Sequence, residues 1–285
     1  MLSSMRDILQ EAYQKKYAIP QPDFVSIDMA AAYLHAASKY RFPVILGFGE
    51  EYLDVSGAAN LKHLVKIIEE LSNAYDIPVV LHLDHGRSYE ACVRAINAGF
   101  TSVMFDGSSL PFEENIQITK GVVEIARLGG VSVEAELGRL KNAEDYDMAV
   151  SDSQVLTDPE TAGIFVEETG VDALAVSIGS VHGDYSGELN IRIDLLKQIN
   201  NLVGIPLVLH GATGIPYQTL SKCVQNGVAK VNIYTDFANT INQIVREHFI
   251  HAEKFQIPGI LGDIRVGISE KLEEYTQALG SINKA

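Results

Sequence analysis

An α/β chain wound as a (β/α)8 barrel, a TIM barrel, is predicted by three observations on the sequence. Short β-branched apolar runs alternate with longer segments of helical period, and the alternation holds until the last quarter of the 285 residues. Glycine stands where a helix must stop before a buried strand, at Ala98-Gly99, Thr169-Gly170 and Asn226-Gly227. Proline announces three of the strands, in Phe42-Pro43, Ile77-Pro78 and Ile205-Pro206. Eight such alternations over about 250 residues fit a closed barrel better than an open doubly wound sheet. On this pattern residues 1–285 read as a single domain.

At the N-terminus Leu2, Met5, Ile8, Leu9, Ala12 and Tyr13 share one face, which predicts a helix lying across the bottom of the barrel. Strands are then expected at Asp23 to Ile27, Val44 to Phe48, Val79 to Leu83, Ser102 to Phe105, Val131 to Glu136, Ala173 to Ser177, Leu207 to His210 and Lys230 to Ile233. The helices that follow them are expected at Met29 to Tyr40, Ala58 to Tyr75, Tyr89 to Ala98, Phe112 to Leu128, Pro159 to Thr169, Ile193 to Asn201, Tyr217 to Gln225 and Phe237 to Ala252. An extra C-terminal helix is expected near Ile268 to Leu279. One long polar connection, Leu137 to Asp158, stands out, and a loop of that length in a compact fold is usually functional.

Composition narrows the function classes. With 47% apolar and 21% charged residues the chain can bury a core, which excludes disorder. Lys plus Arg number 22 against 37 Asp plus Glu, a net charge of −15, so nucleic acid is not an expected partner and any anionic substrate must be caught by local chemistry. No apolar stretch approaches the ~20 residues of a membrane helix, and the first residues mix charges through their apolar positions. A soluble, unprocessed, cytoplasmic protein without a membrane partner is expected. Cys92 and Cys223, outside any metal-type spacing, read as reduced, buried thiols.

Histidine placement carries the chemistry. Of eight histidines, His35, His63, His248 and His251 fall in helical segments and read as ordinary surface or satisfied side chains. His82 and His85 close the third strand, His182 follows the sixth and His210 ends the seventh. In a barrel the C-terminal strand ends meet on one face, so His85, His182 and His210 converge, and three histidines with an open fourth position describe a catalytic zinc site. The competing reading is three separate strand-capping histidines. Glycine after each of them favours the metal site, because glycine lets backbone approach a ligand closely. His82 reads as a buried, hydrogen-bonded histidine that supports its strand.

Asp84, next to His85, is placed to exchange a proton with a substrate hydroxyl, or else to orient a ligand imidazole. Asp106 after the fourth strand, with Glu134 and Glu136 on the fifth, adds oxygens near the same rim. Acids pointing into a barrel need partners, so the two glutamates are expected to serve a cation or a lysine. Gly211-Ala212-Thr213-Gly214 opens the seventh helix and Asn232-Ile233-Tyr234-Thr235-Asp236 the eighth, so backbone N–H groups there form an anion site without a basic patch.

The motifs LHLDHG (Leu81 to Gly86), FDGS (Phe105 to Ser108), SVEAELG (Ser132 to Gly138), SVHGDYSG (Ser180 to Gly187), VLHGATGI (Val208 to Ile215) and KVNIYTD (Lys230 to Asp236) resemble those of the class II, zinc-dependent ketose-bisphosphate aldolases, which include the fructose- and tagatose-bisphosphate enzymes. The resemblance runs from about Met5 to Gly280. It implies one zinc per subunit on His85, His182 and His210, with an alternative outer metal position at Asp106 and Glu136. It also implies a hydroxyl-proton acid/base at Asp84 and, on the mobile loop, a glutamate at Glu144 that moves the carbon-bound proton. Phosphate loops are implied at Gly183, Gly211, Thr213, Asn232 and Thr235, with a monovalent cation beside them, a phosphorylated sugar as substrate, and a homodimer or homotetramer.

The departures concern the far end of the substrate. The family's Phe-Asn pair is Pro22-Asp23 here, and its Ser or Thr after strand two is Gly49, followed by Glu50 and Glu51. Lys141-Asn142 replaces the Gly-Gly of the mobile loop, Tyr234 replaces a small or amide residue, and the arginine that grips the far phosphate aligns with Leu261. Asp23, Gly49, Glu50, Tyr234 and Leu261 are therefore the expected distal specificity positions, less welcoming to a distal phosphate and more to hydroxyl groups. The sequence reading is a zinc-dependent lyase of carbohydrate metabolism that cleaves a ketose 1-phosphate to dihydroxyacetone phosphate and an aldehyde through a zinc-stabilised enediolate. Its alternatives are an ordinary 1,6-bisphosphate aldolase, a metal-dependent epimerase or isomerase, and a non-catalytic sugar-phosphate-binding homologue.

Overall fold

The computed structural model describes residues 2–138, 141–142, 155–184, 189–251 and 256–285. Eight parallel strands form the barrel: β1 (Ile19–Pro22), β2 (Val44–Phe48), β3 (Val79–Gly86), β4 (Ser102–Phe105), β5 (Ser132–Leu137), β6 (Ala173–Val176), β7 (Leu207–Leu209) and β8 (Val228–Ile233). Their order around the barrel is β1-β8-β7-β6-β5-β4-β3-β2. An isolated bridge between Asp23 and Gly47 joins β1 to β2 and makes the barrel nearly closed. The helices are α1 (Met5–Lys15), α2 (Ile27–Tyr40), α3 (Leu61–Ser72), α4 (Tyr89–Ala98), α5 (Phe112–Leu128), α6 (Pro159–Thr169), α7 (Ile193–Val203), α8 (Tyr217–Gln225), α9 (Thr235–His251) and α10 (Ile257–Leu279). No described helix is long and apolar enough to cross a membrane.

The first strand lies four residues earlier than its sequence signal, at Ile19–Pro22 rather than Asp23 to Ile27. Pro20 and Pro22 argue against a strand, since neither has an N–H to donate. Alternation resolves the conflict. Asp23 N donates to Ile233 O of β8, so the odd-numbered amides of this strand face β8, while the two prolines fall at positions facing β2. Ladder bonding towards β2 resumes only where an N–H returns, at Phe24 N to Gly47 O, 3.0 Å. The Ser26 side chain then accepts from Met29 N and starts α2 at Ile27.

Two helix boundaries also differ from the sequence pattern, one for a local reason and one for a tertiary one. Asn60 caps α3 by accepting from His63 N, so the helix starts at Leu61, and residues Glu50–Val55 form a 3-10 turn that sequence period does not announce. The C-terminal helix begins at Ile257, well before Ile268, because tertiary packing against α9 and α2 overrides the poor propensity of Gly259, Gly262 and Gly267.

Inside the barrel the side chains sort by height. Met5, Leu9 and Ala12 of α1 close the bottom against Ile19, Ile45, Val80, Ala173, Val208 and Ala229, which confirms the expected bottom helix. Arg6 forks onto Asp172 and its backbone N–H bonds Ser132 Oγ at 2.9 Å, anchoring α1 there. Above that floor the interior turns polar: Gln21, His82, Ser102, Glu134 and Lys230 are all buried. The larger apolar core lies outside, between the strands and the helix ring. Cys92 and Cys223 are both buried free thiols.

Glu134 and Lys230 meet at 2.6 Å in that polar layer, both without solvent exposure. Removing one member of such a pair leaves an uncompensated buried charge, which costs about 3–5 kcal/mol. Lys230→Met is therefore expected to lower unfolding stability by that amount in denaturant titrations, and a loss below about 1 kcal/mol, the worth of an exposed pair, would show the pair to be dispensable.

Candidate active site

β3 ends irregularly, and that irregularity builds the site. The β3–β4 register shifts between Leu83 and Gly86, and His85 sits in the left-handed region at φ 46°. A non-glycine residue there is strained. The shift breaks the alternation of the strand, so the neighbours Asp84 and His85 both face the barrel mouth. His82, one turn of the pleat below, bonds Ser102 Oγ through Nδ1 at 2.7 Å and is fully buried, as its sequence reading anticipated.

His85, His182 and His210 converge, each offering a ring nitrogen within 4.8 Å of the others. Two of the glycines that follow them also have a packing role. A Cβ on Gly86 would lie 2.6 Å from Met104 O, and one on Gly211, at φ 66°, would lie 2.2 Å from Val181 O. These two glycines let neighbouring backbones pack together, and Gly211, like Gly183, also borders the open space above the histidines.

Hydrogen bonds fix how the imidazoles point. His85 Nδ1 donates to Asp106 Oδ2 at 2.9 Å, and His210 Nε2 donates to Glu134 Oε1 at 3.1 Å, since an ionised carboxylate only accepts. Each ring then turns its other nitrogen inward, and His85 Nε2 donates to His210 Nδ1 at 3.1 Å. Two nitrogens on one tetrahedral zinc stand about 3.3 Å apart. This donor set fits a divalent cation, which would take the place of the proton between the two inward nitrogens, with carboxylate partners behind that raise ligand basicity. Asp106 and Glu136 form a second group with His85, and Glu136 Oε2 is buried without a hydrogen-bond partner.

The electrostatics agree with a centre that holds positive charge. Burial works against the His85 cation, yet Asp84, Asp106 and Glu136 outweigh it and raise the group to about 10. Burial, reinforced by His85, lowers His182 to about 4 and His210 well below the usual histidine range. Burial and the neighbouring Asp106 push Glu136 up to about 8. Asp106 itself, despite burial, is held low by His85 and Ser108.

Asp84 sits at the centre of an amide cluster. Its Oδ1 accepts from Gln21 Nε2 at 2.9 Å and from Asn232 Nδ2 at 3.0 Å, and its Oδ2 lies 3.8 Å from His85 Nε2. Against burial, His85, His210 and Lys230 draw Asp84 below the ordinary carboxylate range. Asp23 goes the other way, raised by burial and by the Asp84 charge. The two coupled carboxyls are thus shifted in opposite directions, Asp84 down and Asp23 up.

The cavity above these groups has a volume of about 630 Å³. Gly183, Gly211, Thr213, Asn232 and Thr235, the five expected phosphate residues, all line it together with Asp84, His85 and His182. The Gly211 to Gly214 turn precedes α8 by three residues and does not open it, whereas α9 does begin at Thr235 beside the cavity. Of the expected distal positions Asp23, Gly49 and Tyr234 line the cavity. Glu50 does not: it forks onto Arg94 at 2.6 and 2.8 Å, and Glu51 takes its place in the wall, with its carboxylate against Gly49. Leu261 also lies outside the lining, on the exposed face of α10.

Glu144 lies outside the described residues. The Lys141–Asn142 segment of its loop pairs in parallel with Val181–His182, so a two-residue ladder ties that connection to the backbone that carries His182. Three lining or supporting residues escape the sequence reading. Gln21 was hidden by the displaced first strand, Tyr52 by the unannounced 3-10 turn, and Asp184 by the absence of any periodic signal. Tyr52 stacks on Tyr234 with ring centroids 6.3 Å apart, forming an aromatic side to the cavity.

Comparison with known proteins agrees with this arrangement. The family described as "Fructose-bisphosphate aldolase class-II" matches residues 3–284. The chain is 40% identical over 287 residues to the probable fructose-bisphosphate aldolase of Bacillus subtilis strain 168, covering 100% of this chain and 99% of that protein. It is 40% identical over 291 residues to a fructose-bisphosphate aldolase of Staphylococcus epidermidis, with the same coverage. Among solved structures, the YdjI aldolase from Escherichia coli K12 superposes with a TM-score of 0.88 at 32% identity over the full length of both chains. A putative fructose-1,6-bisphosphate aldolase from Coccidioides immitis gives 0.87 at 30% identity, covering 98% of this chain and 97% of that one. With the match running through the whole barrel, this chain is a lyase that belongs to the class II fructose-bisphosphate aldolase family.

Proposed function

We propose that the protein reversibly cleaves a ketose 1-phosphate to dihydroxyacetone phosphate and an aldehyde, and that the aldehyde end carries no phosphate. One observation carries this reading: no lysine or arginine is among the described residues lining the cavity, while the side formed by β1 and β2 presents Asp23 and Glu51. The backbone-rich side, at the ends of β6 and β7, suits the C1 phosphate. By strand order β2 is four strands from β6, so Glu51 and Gly183 stand on opposite walls of the cavity.

On this reading Zn2+ is held by His85, His182 and His210, one ion per chain, with Asp106 and Glu136 as an outer position. When bound there, it supplies a Lewis acid that polarises the ketone and stabilises the charge left after carbon–carbon cleavage. Asp84, kept ionised by its neighbours, takes the proton of the C4 hydroxyl during cleavage and returns it in condensation. Glu144 protonates the carbanion carbon. Gly183, Gly211, Thr213, Asn232 and Thr235 hold the phosphate and orient the chain of the sugar. Exposed Val245, Ile250, Ile257, Leu261 and Val266 on α9 and α10 support association as a homodimer or homotetramer.

The test compares kcat/KM for a ketose 1-phosphate and its 1,6-bisphosphate, with dihydroxyacetone phosphate assayed as product. A buried charge-assisted contact to phosphate is worth roughly 1.5–3 kcal/mol, so its absence costs about one to two powers of ten for the bisphosphate. The monophosphate is expected to be preferred. The names of the curated relatives favour the second reading, bisphosphate cleavage, and a preference of about tenfold or more for the bisphosphate would establish it instead.

A further inference from the structure

We propose that Gln21 is a positioning residue for proton transfer, holding the acid/base carboxylate Asp84 and the substrate-facing Asp23 as one unit. The proposal rests on the reading of Asp84 as the group that moves the hydroxyl proton. A single amide nitrogen, Gln21 Nε2, donates to Asp84 Oδ1 at 2.9 Å and to Asp23 Oδ1 at 3.0 Å. The side chain is fully buried, and β1–β8 pairing sets Gln21 beside Asn232, which donates to the same Asp84 oxygen. With Oδ1 taken by two donors, the carboxylate cannot rotate freely, and Oδ2 is the oxygen left on the His85 side to receive a proton.

Two further observations separate this from ordinary strand packing. Gln21 Oε1 is buried with no hydrogen-bond partner, so the amide is oriented for its donors although its acceptor goes unsatisfied. Gly47 makes the room: a Cβ there would lie 1.9 Å from Asp23 Oδ1 and 2.6 Å from Gln21 Nε2. The backbone of Gly47 is not in the left-handed region, so glycine is needed at this position for space and not for conformation.

The experiment uses metal-loaded protein and two reactions. Cleavage of a ketose 1-phosphate requires removal of the C4 hydroxyl proton. Exchange of a carbon-bound hydrogen of dihydroxyacetone phosphate with deuterium from solvent breaks and remakes only a C–H bond and does not call on Asp84. Gln21→Met keeps the length and removes the donor; Gly47→Ala leaves Gln21 in the chain and pushes its amide aside. Both are expected to lower kcat for cleavage by about 10- to 100-fold with zinc content and the exchange rate within about twofold of the parent, and in Gln21→Met, which leaves Asp23 in place, KM also stays within about twofold. Unchanged cleavage, a rise in KM alone, or an equal fall in cleavage and exchange would overturn the proposal. Parent protein that catalyses exchange but no cleavage, or neither, would overturn the aldolase reading beneath it.

Discussion

Replacing His210 or His182 by alanine is expected to strip the bound metal and abolish cleavage. The His210 ring is fully buried and fixed between Glu134, which accepts from Nε2, and His85 Nε2, which meets its Nδ1 at 3.1 Å. No other described side chain offers a nitrogen there, so alanine leaves two imidazole donors and an open face. Loss of a partner behind a metal ligand already costs about 10–100-fold in affinity or activity, and loss of the ligand itself exceeds that. Chelator-treated parent protein should lose activity and regain it with Zn2+. Metal content by mass spectrometry, circular dichroism for fold and a triosephosphate assay check the expectation together. Full metal content and full rate in either folded variant would show that the ligands have been misassigned.

Asp84→Ala is expected to lower kcat by about 10²- to 10⁴-fold with the metal still bound, the loss that follows removal of a general acid/base. Asp84 Oδ2 is 3.8 Å from His85 Nε2, close enough to the centre to meet a hydroxyl of a bound substrate and too far to orient the ring by a hydrogen bond. The orienting partner of His85 is Asp106. That division of labour separates the two readings of Asp84 that sequence leaves open. If metal occupancy fell with the rate and accounted for all of it, Asp84 would be an orienting acceptor and the proton carrier would have to be sought elsewhere.

Local pattern was enough for the barrel, for seven of its strands and for the convergence of the three histidines. Hydrophobic period and glycine or proline punctuation are short-range signals, and in a closed parallel barrel the C-terminal strand ends must share a face whatever the loops do. The same logic pointed to an anion site after β7 and β8, whereas the full set of phosphate residues, Gly183 included, came only from the family resemblance. It failed at β1, where two prolines cancel the strand signal and only pairing with β8 shows that their missing N–H groups cost nothing. With that strand misplaced, Gln21 carried no message. Tertiary structure alone decided which of two adjacent glutamates faces the substrate, because Arg94, 44 residues away, draws Glu50 outward and leaves Glu51 in the wall. It also decided that Glu134 finds Lys230 and that Asp84 and Asp23, drawn together by one amide, are shifted in opposite directions. Neighbouring residues reveal which groups a site contains; burial and charge among residues distant in sequence determine how those groups are paired and protonated.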